Sequence, residues 1–286
     1  MPIPPTTYND DLELLRSSAV AAGIIASSFF RRPVKSWSKD NLSPVSEADI
    51  LVDRYLASSL LTARPSYGWL SEETADNPSR LDCERVFVVD PIDGTSGFLR
   101  GEDSWSVSLA VVENGVPVAG VIYAPVRDEM YEATRGDGAR LNGKPLMRHR
   151  RAGAAPVIPA AGAVHHEMQA AGLNYTRGPY YPSLAYRLVQ VAAGKLDGVA
   201  DRRGSQDWDI AAAALILDEC GVSFEDVCCG APVFNKRDVR HGALAALGDM
   251  SLKPIVHAAL IKVYGCPAEH ERAPDLGELT LPDERI

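Results

Sequence analysis

Residues Arg85 to Phe98 read RVFVVDPIDGTSGF, and no other segment restricts the fold as much. Arg85 to Val89 is rich in β-branched and aromatic residues, as a buried strand is, and the turn dipeptide at Pro91 stops it. The strand therefore delivers Asp90, Pro91, Ile92, Asp93, Gly94 and Thr95 onto a loop. Two carboxylates three residues apart, with proline stiffening the turn between them, converge on hard cations, which prefer oxygen ligands. The backbone N–H groups of Gly94 and Thr95, with small residues continuing through Ser96 and Gly97, are suited to cradle a phosphate.

Helical and strand patterns surround this segment. Leu12, Leu15, Ala19, Ala22, Ala26 and Phe29 recur at three- and four-residue steps and predict a helix from Asp10 to Phe30, ended by Pro33. Ile50, Val52, Leu56 and Leu60 predict a second helix over Glu47 to Leu61, with Ser46 as N-cap and Asp49 in its first turn. Trp105 to Val112 and Val116 to Tyr123 flank Glu113-Asn114-Gly115 as a β-hairpin, and Met130 to Ala133 adds a strand. Leu184 to Ala193 and Asp209 to Glu219 read as helices, with Gly194 and Gly221 where C-terminal caps belong. An Ala-, Gly- and Pro-rich stretch from Met147 to Gly178, opening on Arg148 to Arg151, marks a boundary. The expected organisation is an N-terminal half (1–147), a C-terminal half (148–265) and a loose tail (266–286).

The chain has 286 residues and a formal net charge of -9, with no basic stripe interleaved with aromatics, so a nucleic-acid polymer is not an expected partner. The apolar run Ala19 to Phe30 is shorter than the ~20 residues of a bilayer span, and acids precede it where a secretory signal would carry bases. No membrane segment is expected. The five cysteines, Cys83, Cys220, Cys228, Cys229 and Cys266, are odd in number and lack CxxC spacing, so they read as reduced thiols of a cytoplasmic protein.

Further acids lie at strand ends and helix starts. Glu72 and Glu73 follow Trp69-Leu70-Ser71, and Asp209 sits in Gln206-Asp207-Trp208-Asp209 at the start of an Ala-rich helix, where an N-cap or helix-dipole role competes with ligation. Asp49, Glu72, Asp90, Asp93 and Asp209 focused on one spot would repel unless cations occupied it, so a magnesium cluster is the economical reading. His165-His166-Glu167 lacks a third partner and is not read as a metal site. A P-loop is absent, and the DxDGT signature of aspartyl-phosphate-forming phosphatases has one residue between its acids where two separate Asp90 from Asp93.

The Glu72-Glu73 pair, DPIDGTSGF (Asp90 to Phe98) and WDIAA (Trp208 to Ala212) together resemble the inositol monophosphatase superfamily of lithium-sensitive, magnesium-dependent phosphomonoesterases. Ser43 to Asp49 (SPVSEAD) is similar to the SPVTxAD stretch of its 3'(2'),5'-bisphosphate nucleotidase branch. The resemblance runs from the first helix to about Gly248 and implies an α+β fold layered αβαβα. It implies that Glu72, Asp90 and the carbonyl of Ile92 hold one magnesium ion, that Asp90, Asp93 and Asp209 hold a second, and that Glu72 assists a third, weaker one. It further implies that Thr95, hydrogen-bonded to Asp49, helps deprotonate a metal-bound water that attacks phosphorus in line, with Gly94 and Thr95 on the phosphate. This agrees with two-ion phosphoryl transfer, which needs no covalent nucleophile.

Three departures bear on substrate. Ser96-Gly97-Phe98 stands where inositol phosphatases carry Thr-Asn-Phe and many bisphosphate nucleotidases carry a basic residue. Pro182-Ser183 replaces the Gly-Ser that opens the nucleotide-contacting helix, leaving Ser183 and Arg187 as the expected substrate contacts, with Arg187 able to hold a second phosphate bidentately. Cys220-Gly221-Val222 replaces Ala-Gly-Gly. The resulting expectation is hydrolysis of the 3'-phosphate of adenosine 3',5'-bisphosphate in sulfur metabolism, the alternative being an inositol-1-phosphate or other small polyol phosphate phosphatase. The partner is a small phosphorylated metabolite, and the sequence leaves the oligomeric state open.

Overall fold

A computed structural model of the chain describes residues 7–39, 44–148 and 154–266. Its main sheet has seven strands in sequence order: β3 (Gly68–Ser71), β4 (Arg85–Asp93), β5 (Ser106–Glu113), β6 (Val116–Ala124), β7 (Glu129–Thr134), β8 (Ala139–Leu141) and β9 (Lys144–Pro145). β3 and β4 are parallel and the remaining neighbours antiparallel. A second sheet orders β12 (Gly198–Asp201), β14 (Leu244–Leu247) and β13 (Ser223–Asp226) antiparallel. Two short pairs complete the strands: β1 (Ser36–Ser38) with β2 (Pro44–Ser46), and β10 (Val157–Ile158) with β11 (Thr176–Arg177).

Three apolar clusters fill the four interfaces between five layers. α1 (Tyr8–Phe29) and α2 (Glu47–Ala63) bury Leu12, Leu15, Ala19, Val52 and Leu56 against Phe87, Val89, Leu109 and Val121 on one face of the main sheet. On the opposite face Val86, Val88, Ala110 and Ile122 meet α5 (Leu184–Ala192) and α6 (Asp207–Glu219), which also cover Val199, Phe224, Leu244 and Ala246 of the second sheet. The far face of that sheet, with Ala200, Ala245 and Leu247, is closed by α4 (Gly162–Ala170) and α7 (Lys253–Tyr264). A helix α3 (Thr95–Leu99) follows β4 directly. The order is helix, sheet, helix, sheet, helix, because each sheet is apolar on both faces and must be covered twice. This is the layered α+β architecture expected.

Two expectations are corrected. α1 has 22 residues and is long and apolar enough to cross a membrane, so the run beginning at Ala19 understated it. Its apolar stripe is nevertheless taken up by the sheet, with Leu15, Ala19, Ala22 and Ala26 fully buried. The cysteines are not all reduced: Cys228 and Cys266 form a disulfide, leaving Cys83, Cys220 and Cys229 free. The two partners are 38 residues apart and meet only because α7 returns to the end of β13, which local spacing does not encode. The Ala-rich stretch contains α4, whose His165 stacks on Tyr175 and shares a 2.7 Å hydrogen bond with its hydroxyl. Residues 149–151, Ser43 and the tail beyond Cys266 lie outside the described residues.

Candidate active site

β4 and its β5 neighbour bring the two aspartates of DPID together. Asp90 pairs with Ser108 and Asp93 with Ser106, so β4 carries one extra residue between them, a bulge at Pro91 and Ile92. Residues three apart in a regular strand face opposite sides, and a bulge re-aims one of them. As a result ligand oxygens of Asp90, Asp93 and Asp209 lie within 4.8 Å of one another. Asp209 comes from the first turn of α6, where its Oδ2 accepts the Gln206 N–H at 2.7 Å and closes a capping box, leaving Oδ1 for the cluster. Asp49 occupies the same helical position in α2, with Oδ2 accepting from Ser46 N (2.8 Å) and Ser46 Oγ (2.6 Å).

Asp49 and Thr95 meet as expected. Thr95 Oγ1 is 2.9 Å from Asp49 Oδ1 and 3.0 Å from the carbonyl oxygen of Ile92, so its one proton has two acceptors. Gly94 precedes Thr95 at φ 88°, and a side chain there would run into Ser183 N at 2.7 Å. Only glycine suits both the left-handed backbone and the close approach. At the start of α3 the N–H groups of Gly97 and Phe98 are taken up by the Gly94 carbonyl, at 2.8 and 3.0 Å.

The group is electrostatically frustrated. Asp90 and Asp209 have pKa values pushed well above the carboxylate range, first by desolvation and then by the neighbouring Glu72 and aspartate charges. Desolvation also raises Asp93 to about 6, against the lowering effect of hydrogen bonds from Ser183, Ala185 and Leu184. Asp49 is raised by burial despite its hydrogen bonds. Among the described residues no Lys or Arg pairs with Asp90, Asp93 or Asp209. Three converging, uncompensated carboxylates are an oxygen donor set that fits a hard divalent cation.

Glu72 is not one of those three, but its charge raises Asp90 and Asp209. Lys39 Nζ lies 3.0 Å from its Oε1, 3.3 Å from its carbonyl oxygen and 2.8 Å from Glu73 Oε1. Burial raises Glu73 to about 7 even with Lys39 lowering it. The Glu72-Glu73 turn is held by Asp53, buried one helical turn after Asp49, which accepts from Ser71 Oγ (2.5 Å) and Thr74 Oγ1 (2.6 Å). Sequence reasoning missed Lys39 and Asp53. The i,i+4 spacing of Asp49 and Asp53 on one helix face was a signal for the second.

The expected substrate contacts separate. Ser183 is fully buried and supports Asp93: its Oγ donates to Asp93 Oδ2 at 2.5 Å and accepts from Tyr186 N at 2.9 Å. Leu184 N and Ala185 N add bonds to Asp93 of 3.3 and 2.7 Å. Arg187 is 4% exposed, pairs with Asp201 at 3.2 Å, and stacks under the exposed ring of Tyr180 at 4.7 Å. Its Nε is buried without a partner among the described residues. Asp201, at the end of β12, is close enough to raise Asp209. The departures at 97 and 182 explain one another: a Cβ on Gly97 would stand 2.7 Å from Cγ of Pro182, so the proline occupies the space a side chain at 97 would need.

A buried bulge that gathers aspartates from a strand and a helix start, with a threonine hydroxyl against a further buried acid, is a candidate cation site on an αβαβα scaffold. Residues 11–262 match the inositol monophosphatase family, and the chain belongs to it as a phosphatase of that family. It is 35% identical to an inositol-1-monophosphatase of Mesorhizobium japonicum over 208 residues, 69% of this chain and 77% of that one. It is 31% identical to a histidinol-phosphatase of Chlorobaculum parvum, covering 74% and 83% of the two chains. The extragenic suppressor protein suhB of Bartonella henselae superposes with a TM-score of 0.75 at 29% identity, over 87% of this chain and 98% of that one. Enzymes of this family typically use magnesium.

Proposed function

We propose that the protein is a magnesium-dependent phosphomonoesterase that removes the 3'-phosphate of adenosine 3',5'-bisphosphate in the cytoplasm. Asp90, Asp93, Asp209, the Ile92 carbonyl and Glu72 would hold two ions, with Glu72 also serving a third. Magnesium there supplies the charge that activates water toward phosphorus and neutralises the leaving oxygen. The chain's own residues do the rest. Thr95 and Asp49 provide a hydroxyl and carboxylate 2.9 Å apart along which a proton passes from the attacking water. The backbone N–H groups of Gly94 and Thr95 orient the phosphate, and Ser183 with two backbone N–H groups fixes Asp93.

The observation that carries the nucleotide reading is Arg187. A buried guanidinium with one ion pair and an unpaired Nε is incompletely satisfied, and an anionic group on the leaving alcohol would complete it. Tyr180, exposed above it, offers a ring face for a base. A second reading rests on Asp201, whose carboxylate is suited to accept hydroxyls of a polyol, in line with the inositol-1-monophosphatase relative. A cationic leaving group such as histidinol is disfavoured beside Arg187 and the adjacent Arg202.

Phosphate release from adenosine 3',5'-bisphosphate, inositol-1-phosphate and histidinol phosphate, measured side by side with magnesium and with Asp93→Asn as blank, tests this reading. Preference for the nucleotide that falls about tenfold or more in Arg187→Ala supports it. Preference for the inositol ester, unaffected by Arg187→Ala, replaces it with the second reading.

A further inference from the structure

Cys228, Cys229 and Cys266 lie together where the turn after β13 meets the end of α7. Cys228 and Cys266 are bonded, with Cα atoms 5.6 Å apart, while Cys229 is free and exposed. Each side of the bond leads toward the candidate site. On one side Asp226, the last residue of β13, accepts the N–H groups of Cys228 (2.9 Å) and Cys229 (3.2 Å) on Oδ1 and that of Gly242 (2.7 Å) on Oδ2. His241, next to Gly242, shares a 2.7 Å hydrogen bond with Asp207, which opens α6 two residues before Asp209. Asp207 also accepts Asn235 N at 2.7 Å, so this loop is tied to the helix start at two points. On the other side α7 packs on β12 and β14. The Tyr264 hydroxyl in its last turn is pushed up by burial and by the charge of Asp201 and eased by Arg202, which puts those side chains in one neighbourhood.

We propose that the Cys228–Cys266 bond is a redox-sensitive clip that holds the last turn of α7 against β12 and so keeps the Asp201–Arg202 side of the substrate site in place. The regulatory part of this inference rests on the phosphatase reading above. Opening is a thiol–disulfide exchange: one thiolate of a dithiol attacks a sulfur of the bond, a mixed disulfide forms, and the dithiol's second sulfur resolves it. Cys228 and Cys266 leave as thiols and the dithiol as a disulfide, so two electrons and two protons pass to the protein. Cys266 is exposed at the surface, where such exchange is accessible. Disulfides that persist only outside reducing compartments open where dithiol reductants are maintained.

The test uses the full chain purified without reductant, before and after dithiothreitol. Thiol titration in denaturant should find three thiols before reduction, Cys83, Cys220 and Cys229, and all five afterwards. Amide exchange over residues 258–265 should accelerate about tenfold on reduction. KM for adenosine 3',5'-bisphosphate should rise about fivefold at nearly constant kcat. Cys228→Ser should match the reduced protein under both conditions, and Cys229→Ser should respond like the unaltered chain. Five thiols before reduction, or unchanged exchange and KM after it, would overturn the clip. Faster exchange with an unchanged KM would overturn its link to the substrate site. Should no phosphate ester be hydrolysed at all, the phosphatase reading fails separately, and thiol count and exchange still decide whether the clip exists.

Discussion

A methyl group on Gly97 tests the fit between α3 and the segment before α5. The added Cβ would stand 2.7 Å from Cγ and 2.9 Å from Cβ of Pro182, in a buried position. Ordinary contact begins near 3.4 Å, so the two segments must part by 0.7 Å (3.4 minus 2.7). Both ends of that gap are stiff, one a proline ring and the other a helix that begins at Thr95. Overpacking of this kind destabilises by about 1–3 kcal/mol, so Gly97→Ala should cost about 2 kcal/mol in urea melts. Because α3 starts at the residue that touches Asp49, a shift approaching 1 Å should also lower kcat about tenfold. Pro182→Gly removes the obstructing ring and by itself should cost no more than about 1 kcal/mol, mostly through the unfolded chain. The double variant should recover most of both losses, a coupling of about 1–2 kcal/mol. Strict additivity, or a neutral Gly97→Ala in the presence of Pro182, would refute the reasoning.

Other outcomes follow from the acid cluster. Asp93→Asn should abolish detectable phosphate release while leaving the circular dichroism spectrum unchanged, and full activity would dismiss the two-ion assignment. Ser183→Ala should weaken magnesium activation about 10- to 100-fold, with kcat restored at high magnesium; a loss that magnesium cannot restore would instead mean that Ser183 acts on substrate. In the metal-free protein Asp93 titrates at about 6 and Glu73 at about 7, above their ordinary values, so the fold holds protons that the unfolded chain releases. Stability from these groups is complete below about pH 4 and is lost as pH rises toward 7. The rise in Tm produced by magnesium over EDTA should therefore grow from pH 5 to 7.5, and a constant or shrinking difference would contradict the assigned ligands.

Much of this was legible from the residues. The DPID spacing announced converging carboxylates, and Ser46 and Asp49 declared a helix start whose capping box appears in the structure. Local chemistry was enough there because each signal acts within four residues. What escaped depends on distant segments meeting. Lys39 reaches Glu72 across 33 residues, and Ser183 reaches Asp93 across 90. Gly97 and Pro182 looked like two unrelated departures until packing made them one complementary pair. The cysteines misled for the same reason, since pairing of Cys228 with Cys266 follows from the return of α7 and not from spacing.

The alternation of layers has a consequence for how the protein comes into being on the ribosome. Asp49 is supplied by the first layer, Asp90 and Asp93 by the second, and Asp209 by the third, so the candidate site is a seam joining all three. A nascent chain that has exposed Asp90 and Asp93 still lacks the carboxylate at 209, and at 5–20 residues per second that gap lasts about 6–24 seconds. Until α6 docks, the earlier acids lack the third carboxylate of the proposed ion cage. Acquisition of hydrolytic competence is thus a late event of biosynthesis, and enzymatic turnover serves as a reporter that the middle of the molecule has closed.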